Sequence, residues 1–389
     1  MTNHFLDFPF LYPTYNSSDC TMVIVGYTLR KMDKKELLDI ISRSDTQQLE
    51  TLNLRDQGIT ELPPEIGNLT NLTELYLSEN LLAHLPPEIG NLTNLTELHL
   101  QNNQLSQLPL EIGKLINLTH LYLWNNQLSQ LPSTVELLVN LSVLDVSENQ
   151  ISQLPLELFL LPVLSRLLLS SNPSLIIPEE IERLTNLTHL VLDSNNLQQL
   201  PSVIGKLTNL KLLNLSYNQF TQLPAEVLQL TNLTQLDLNY NSLEQLSPEI
   251  GKLTNIQRLN LSSNHLTQLP PEIGNLTNLW EFDLGSNHLS QLPAEIGHLT
   301  NLKVFNLSLN DLTQLPPDIT KLTNLEELGL ISNQLTELPP DIVNLTNLTR
   351  FLLEKNNFPF DISPEIHQLS PAEKIRYILQ KKNGAKTFT

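Results

Sequence analysis

At 389 residues, with a formal net charge of -19 and one cysteine, Cys20, the chain excludes several classes at once. Nucleic acid calls for clustered Lys and Arg to release counterions, and this charge balance opposes it. A single thiol builds no disulfide framework and fits a reducing compartment, and no apolar run is long enough to span a membrane.

Residues 1–31 form an irregular N-terminal extension. Phe5, Phe8, Phe10 and Tyr12 are interleaved with Pro9 and Pro13, and Met22-Val-Ile-Val-Gly26 is a short strand-like run. The start, Met1-Thr-Asn-His-Phe-Leu-Asp7, has neither the basic opening nor the unbroken apolar core of a signal peptide. The segment reads as an extension upstream of a functional start at Met32. Residues 32–48 then predict an N-terminal capping helix over 33–42. Asp33 can cap it, Glu36 completes a capping box, and Leu37, Leu38 and Ile41 share a face.

From residue 49 to 370 one phrase repeats. It is Leu72-Thr-Glu-Leu75-Tyr-Leu77-Ser-Glu-Asn80-Leu-Leu82, followed by His84-Leu-Pro-Pro-Glu-Ile-Gly-Asn-Leu92. Its asparagine recurs every 23 residues from Asn80 to Asn356 without insertion or deletion, and Gln57 stands one period earlier. Fourteen such units in the pattern LxxLxLxxNxL are the signature of a leucine-rich repeat solenoid. The fold class is α/β: a curved horseshoe, a parallel sheet on its concave face, short helical turns on its convex face, and helical caps at both ends.

Each unit has a physical logic. Leu75 and Leu77 point inward from a short strand while Glu74 and Tyr76 point outward. Asn80 follows at the turn, where a buried amide can satisfy backbone groups of adjacent coils. Leu82, Leu85, Ile89 and Leu92 complete a core of about seven apolar side chains per unit, each worth about 1.5–3 kcal/mol. On the return path a proline suits a first helical position and Glu88 the turn dipole. That slot stays acidic from Glu65 to Asp341 in most units, an outer ridge.

Three places break the phrase: Asn172-Pro-Ser-Leu175, Ser247-Pro248 and Asn356-Asn-Phe358-Pro-Phe360. Asn-Leu-Thr glycosylation sequons at Asn68, Asn71, Asn91 and Asn94 would carry glycans at a density that obstructs stacking in a secretory pathway. Cytoplasmic localisation is expected.

Residues 371–389 predict a C-terminal capping helix and basic tail. Ser370 and Glu373 make a capping box, Pro371 takes the first helical position, and Gly384 can end the helix. Ile375, Ile378 and Leu379 form the face expected to cover the final coil.

The phrase LPxEIGxLTNL resembles the Ras-suppressor and Scribble class of intracellular repeats. With its leading and trailing helices the chain looks most like bacterial, particularly cyanobacterial, leucine-rich repeat proteins, some of them Roco proteins whose repeats precede a GTPase domain. A P-loop GxxxxGK[ST] would have to follow the last helix. Asn383-Gly-Ala-Lys386-Thr387 lacks its leading glycine, so nucleotide binding does not carry over.

Register places Glu74, Tyr76, Glu97, His99, His120, Tyr122 and Trp124 on three consecutive outward rungs, an aromatic patch of the kind that anchors protein interfaces. A secondary patch is Tyr217, Asp237, Tyr240 and Arg258. Glu97, His99 and His120 could meet as zinc ligands, although no fixed spacing motif supports this; His265 and His288 repeat by one period on an edge. No GxSxG, HExxH or kinase set is present. The expected function is non-catalytic protein–protein interaction on the concave sheet in intracellular signalling, with a protein partner such as a small GTPase. No cofactor, metal, nucleic acid, membrane span or small-molecule substrate is expected. The alternative is the regulatory repeat portion of a Roco-type GTPase system without its own GTPase domain.

Overall fold

A computed structural model describes residues 32–360 and 369–385. The readings of 1–31, of the end of the last unit and of the residues after Ala385 lie outside the described residues. Helix α1 (Lys34–Gln47) opens on the expected capping box: Asp33 accepts from the Glu36 amide at 2.8 Å and Glu36 accepts from the Asp33 amide at 3.2 Å. It runs five residues beyond expectation, to a left-handed Gln48. Leu37 and Ile41 are buried in the common core and Leu38 is half-buried.

Fourteen three-residue strands, β1 (Thr51–Asn53) to β14 (Arg350–Leu352), form one parallel sheet in strict chain order. Register is one repeat throughout, as in Leu75↔Leu98 between β2 (Glu74–Tyr76) and β3 (Glu97–His99). The middle residue of every strand is buried, and all seven expected apolar positions of the Leu72–Leu92 unit lie in the core.

The asparagine ladder works as the spacing predicts. Asn126 donates Nδ2 to the carbonyls of Leu100 (3.0 Å) and Leu123 (2.9 Å), and its Oδ1 accepts from the Leu105 amide at 2.9 Å. One buried side chain thus ties its own coil to the preceding one. A second ladder runs outside. Asn94, Asn117 and Asn140 each donate to a carbonyl one coil back at 2.8–2.9 Å. Asn94 belongs to a Thr-Asn-Leu triplet, while Asn117 and Asn140 follow Ile116 and Val139, so one of the asparagines read as sequons, Asn94, also serves as an inter-coil tie.

The convex turns are short 3-10 helices, and one expectation about them needs correction. In the turn Pro87–Asn91 the shared proline, Pro86, is the N-cap, and only the extra Pro87 occupies the first helical position. This explains Ser247-Pro248: Ser247 fills the cap slot, its hydroxyl accepting from the Glu249 amide at 3.2 Å, and Pro248 starts the turn. At the other break Leu175 replaces the shifted apolar residue in the core. The Asn195 Oδ1 of the next coil takes the Asn172 amide at 2.6 Å instead.

Gly90 has a packing role. A Cβ there would stand 2.6 Å from the Glu111 carbonyl oxygen of the next coil.

Helix α2 (Pro371–Ala385) packs on the last turn and on β14. Ser370 and Glu373 make the expected box, but Gly384 lies within the helix and does not end it. Ile375 and Ile378 join the core. Sequence reasoning missed Lys374, which is buried and donates to the Phe351 carbonyl at 3.1 Å.

Candidate functional site on the concave sheet

The first predicted patch comes together as a ladder that satisfies itself. Tyr76, His99 and Tyr122 stack rung on rung, with ring centroids 4.3 and 4.7 Å apart. The stacking follows from in-register parallel pairing, which sets identical columns one strand spacing apart. Tyr76 donates to Glu74 at 3.0 Å, and Glu97 lies 3.2 Å from His99 Nε2 and 4.0 Å from His120 Nδ1. The hydrogen bond from His99 holds the Glu97 carboxyl below its ordinary range against the opposing effect of burial. His99 is only 1% exposed, so the accessible surface here comes from the flanking tyrosines and Trp124 rather than the imidazole. Among the described residues no three His, Cys, Asp or Glu side chains are placed to hold a metal ion.

South of this ladder the concave face deepens into a groove of about 360 Å³, bounded by Tyr122 at one end and Glu281 at the other. Its floor is apolar: Val143, Leu168, Val191 and Leu212. The lining also carries Asp145, Asp193 and Asp237, with Asp145 the register neighbour of Leu168. Burial is the main reason all three carboxyls are pushed up, Asp145 to about 6 and Asp237 to about 7; neighbouring acids add to it at Asp145 and Asp237, while hydrogen bonds from Ser170 and Ser194 oppose it at Asp193. Asp283, two strands beyond Asp237, is also raised to about 6 by burial. His189 is pushed down by burial and by the adjacent Arg166, which favours its neutral form.

Three residues of the secondary patch, Tyr217, Asp237 and Arg258, line this groove, and Tyr240 stands beside it. Tyr217 and Tyr240 stack at 4.3 Å with rings 10° apart and each is 50% exposed. Both occupy a left-handed backbone position (φ 51) that most other coils give to Ser, Asn or Glu. A bulky residue there is a strained choice, of the kind retained where function needs it. Asp237 stands one strand from Arg258, whose Nε is 2.7 Å from Glu281 and whose guanidinium lies 5.5 Å from the Trp280 ring centre. Within the predicted patch the Arg258 guanidinium thus pairs with Glu281 and acts on Asp237 only as a nearby charge. His265 and His288 stack at 5.9 Å outside the groove.

Asp145 and Asp193 are the residues that sequence reasoning undervalued. Asp145 reads as an ordinary strand residue, and Asp193 stands two places beyond the central column. A usable signal existed: the central column and the one two residues after it hold four aspartates and no Lys or Arg from residue 76 to 354.

Comparison with known proteins agrees with this architecture. The family model described as "Leucine-rich repeat region" matches residues 28–121 and 193–313, and "Leucine Rich repeats (2 copies)" matches 116–159. No curated protein matches the chain. A solved leucine-rich repeat protein of Leptospira interrogans is 40% identical over 90% of this chain and 92% of its own, with a TM-score of 0.82. An internalin of Listeria monocytogenes shares the fold at 23% identity, 86% and 91% coverage, and a TM-score of 0.65. The Arabidopsis receptor kinase HAESA ectodomain, solved with a peptide hormone, is 28% identical over 78% of this chain and 58% of its own (TM-score 0.60).

Proposed function

This chain belongs to the leucine-rich repeat family, whose fold serves as a scaffold for protein–protein interaction, and from that premise we propose that it binds a protein partner in the central concave groove. The observation that carries the reading is the groove itself. An apolar floor, lined also with carboxylates held out of water, sits on a sheet whose strands cannot shift relative to one another. Preorganisation of this kind lowers the ordering cost of association. The stacked tyrosines at the groove edge supply rigid contact area, and the Tyr76–Tyr122 ladder extends the same face toward the N-terminus. HAESA, in complex with its peptide hormone, shows a related solenoid engaged with a polypeptide ligand.

The finer reading makes the partner an intracellular signalling protein such as a small GTPase, following the resemblance to Ras-suppressor repeats and the density of Asn-Leu-Thr sequons. The Roco alternative gains no observation from the structure, and the relatives named above include no Roco protein. No helix among the described residues is long and apolar enough to cross a membrane.

The test is affinity capture from a lysate of the source cells with wild type and a Leu168→Glu/Val191→Glu variant, both verified as folded by circular dichroism. Charging the groove floor removes the specific partner if the reading holds. A partner retained by the variant sinks it.

A further inference from the structure

The groove specifies more about its occupant than shape. Asp145, Asp193 and Asp237 make their hydrogen bonds only to neutral donors. Asp145 accepts from the Ser147 amide at 3.0 Å, and Asp237 from the Asn239 amide at 3.2 Å. Asp193 accepts from Ser170 (2.5 Å), Asn214 (3.2 Å) and Ser194 (3.3 Å). No Lys, Arg or His forms an ion pair with any of the three among the described residues; of the two arginines that line the groove, Arg166 and Arg258, the second pairs with Glu281 and offsets only a minor part of the effect of burial on Asp237. Carboxylates taken out of water without a counter-ion are costly, and a ligand that brings the cation recovers that cost.

Asn260 gives a second, independent sign. On β12 (Val304–Asn306) the Asn306 amide donates to Asp283, its register partner one rung back, at 2.9 Å. On β10 (Arg258–Asn260) Asn260 stands in the same relation to Asp237. Its Oδ1 accepts from the Ser262 amide and hydroxyl at 3.0 and 2.7 Å, yet its Nδ2 has no partner. Asn260 is 5% exposed and lines the groove. One rung back, Asn239 is buried with its Oδ1 unpartnered. Orphaned buried polar groups are rare enough to need a reason. Asn239 does not line the groove, but the open Asn260 donor does, and it matches the C=O that every peptide unit offers.

We propose that the groove takes an extended peptide segment carrying a lysine or arginine beside an aliphatic residue. The cation sits between Asp193 and Asp237, and a peptide carbonyl meets the Asn260 amide. The aliphatic side chain covers Leu168 and Val191. The Tyr217–Tyr240 pair flanks the cation, where an aromatic face attracts a guanidinium or ammonium. The net charge of -19 speeds the approach of such a segment. This inference rests on the concave-face reading and adds the chemistry of what is bound there.

The test pans a random dodecapeptide display library against the full chain, with counter-selection on the Leu168→Glu/Val191→Glu variant. Enriched sequences pair Lys or Arg with Leu, Ile or Val at neighbouring positions. Enrichment dominated by acidic or uncharged sequences, or no enrichment, overturns the proposal. The most enriched peptide is then titrated by fluorescence anisotropy against Asp193→Asn and Asp237→Asn, which keep side-chain shape and remove charge. Each loses about thirtyfold in affinity or more, the usual effect of removing one partner of a desolvated charge pair. Unchanged affinity in both overturns the proposal. Loss of the cellular partner in the groove variant, combined with no preference for basic peptides, sinks only this inference. A partner retained by that variant sinks the concave-face reading beneath it.

Discussion

Replacing Asn126 by alanine tests whether the buried amide ladder, and not apolar packing alone, joins the coils. Asn126 makes three hydrogen bonds of 2.9–3.0 Å, to Leu100, Leu123 and Leu105. Each is worth about 0.5–1.5 kcal/mol net, and the Leu105 amide, left buried without its partner, adds about 1–3 kcal/mol. The sum is a loss of about 2.5–7.5 kcal/mol. Asn140 is the matched control, because its exposed amide makes one bond, to the Ile116 carbonyl at 2.8 Å. Asn140→Ala should cost about 1 kcal/mol or less. The assay is urea unfolding followed by far-UV circular dichroism, with the midpoint shift multiplied by the common slope. Equal losses in the two variants, or a loss below about 1 kcal/mol for Asn126→Ala, would refute the reasoning, because the buried ladder would then add nothing beyond solvent-exposed ties.

Three further outcomes follow from the geometry. Folded Asp237 keeps its proton up to about pH 7, and Asp145 and Asp283 to about 6, against 3.8 when unfolded. The folded chain therefore binds more protons between about pH 4 and 7, so stability is greatest at the acid end of that window and falls as pH rises through it. Asp237→Asn should raise the melting temperature at pH 8 and flatten the slope of stability against pH, by up to about 1.4 kcal/mol for each pH unit of the window; an unchanged slope contradicts the assignment. Gly90→Val forces a Cβ to within 2.6 Å of the Glu111 carbonyl and should cost about 1–3 kcal/mol in the same urea assay. Tyr217→Asn with Tyr240→Asn relieves two left-handed tyrosines, so the melting temperature should hold or rise while peptide affinity falls; a fall in both would assign the pair to stability instead.

The fold was legible because its signal repeats. Leu75, Leu77 and Leu82 recur at fixed offsets, and any slip of register would expose every one of them together. The capping boxes at Asp33 and Ser370 were legible for a local reason, since each needs only residues three apart. What stayed hidden depends on neighbours one coil away. The Asn94-type ties look like sequons in one dimension, Gly90 looks like a helix residue, and Lys374 looks like a solvated cation. The same holds at the site. Tyr76, His99 and Tyr122 could be placed on consecutive rungs from spacing alone, yet the burial of His99 between two rings follows only from the strand separation. Asp145 reads as an ordinary strand residue and Asp193 falls just past its strand, and their desolvation depends on side chains of neighbouring coils, which spacing does not encode. Tyr217 and Tyr240 were found, but not their left-handed backbone.

The central claim is that the groove, not the convex ridge, meets the partner. A photo-reactive benzoylphenylalanine placed at Val191 on the groove floor, and separately at Glu180 on the outer ridge, tests this in intact cells of the source organism. The account predicts a discrete cross-linked adduct from position 191 and none from position 180, with the first suppressed by the enriched basic peptide. An adduct from position 180 alone would contradict it and move the binding face to the convex side.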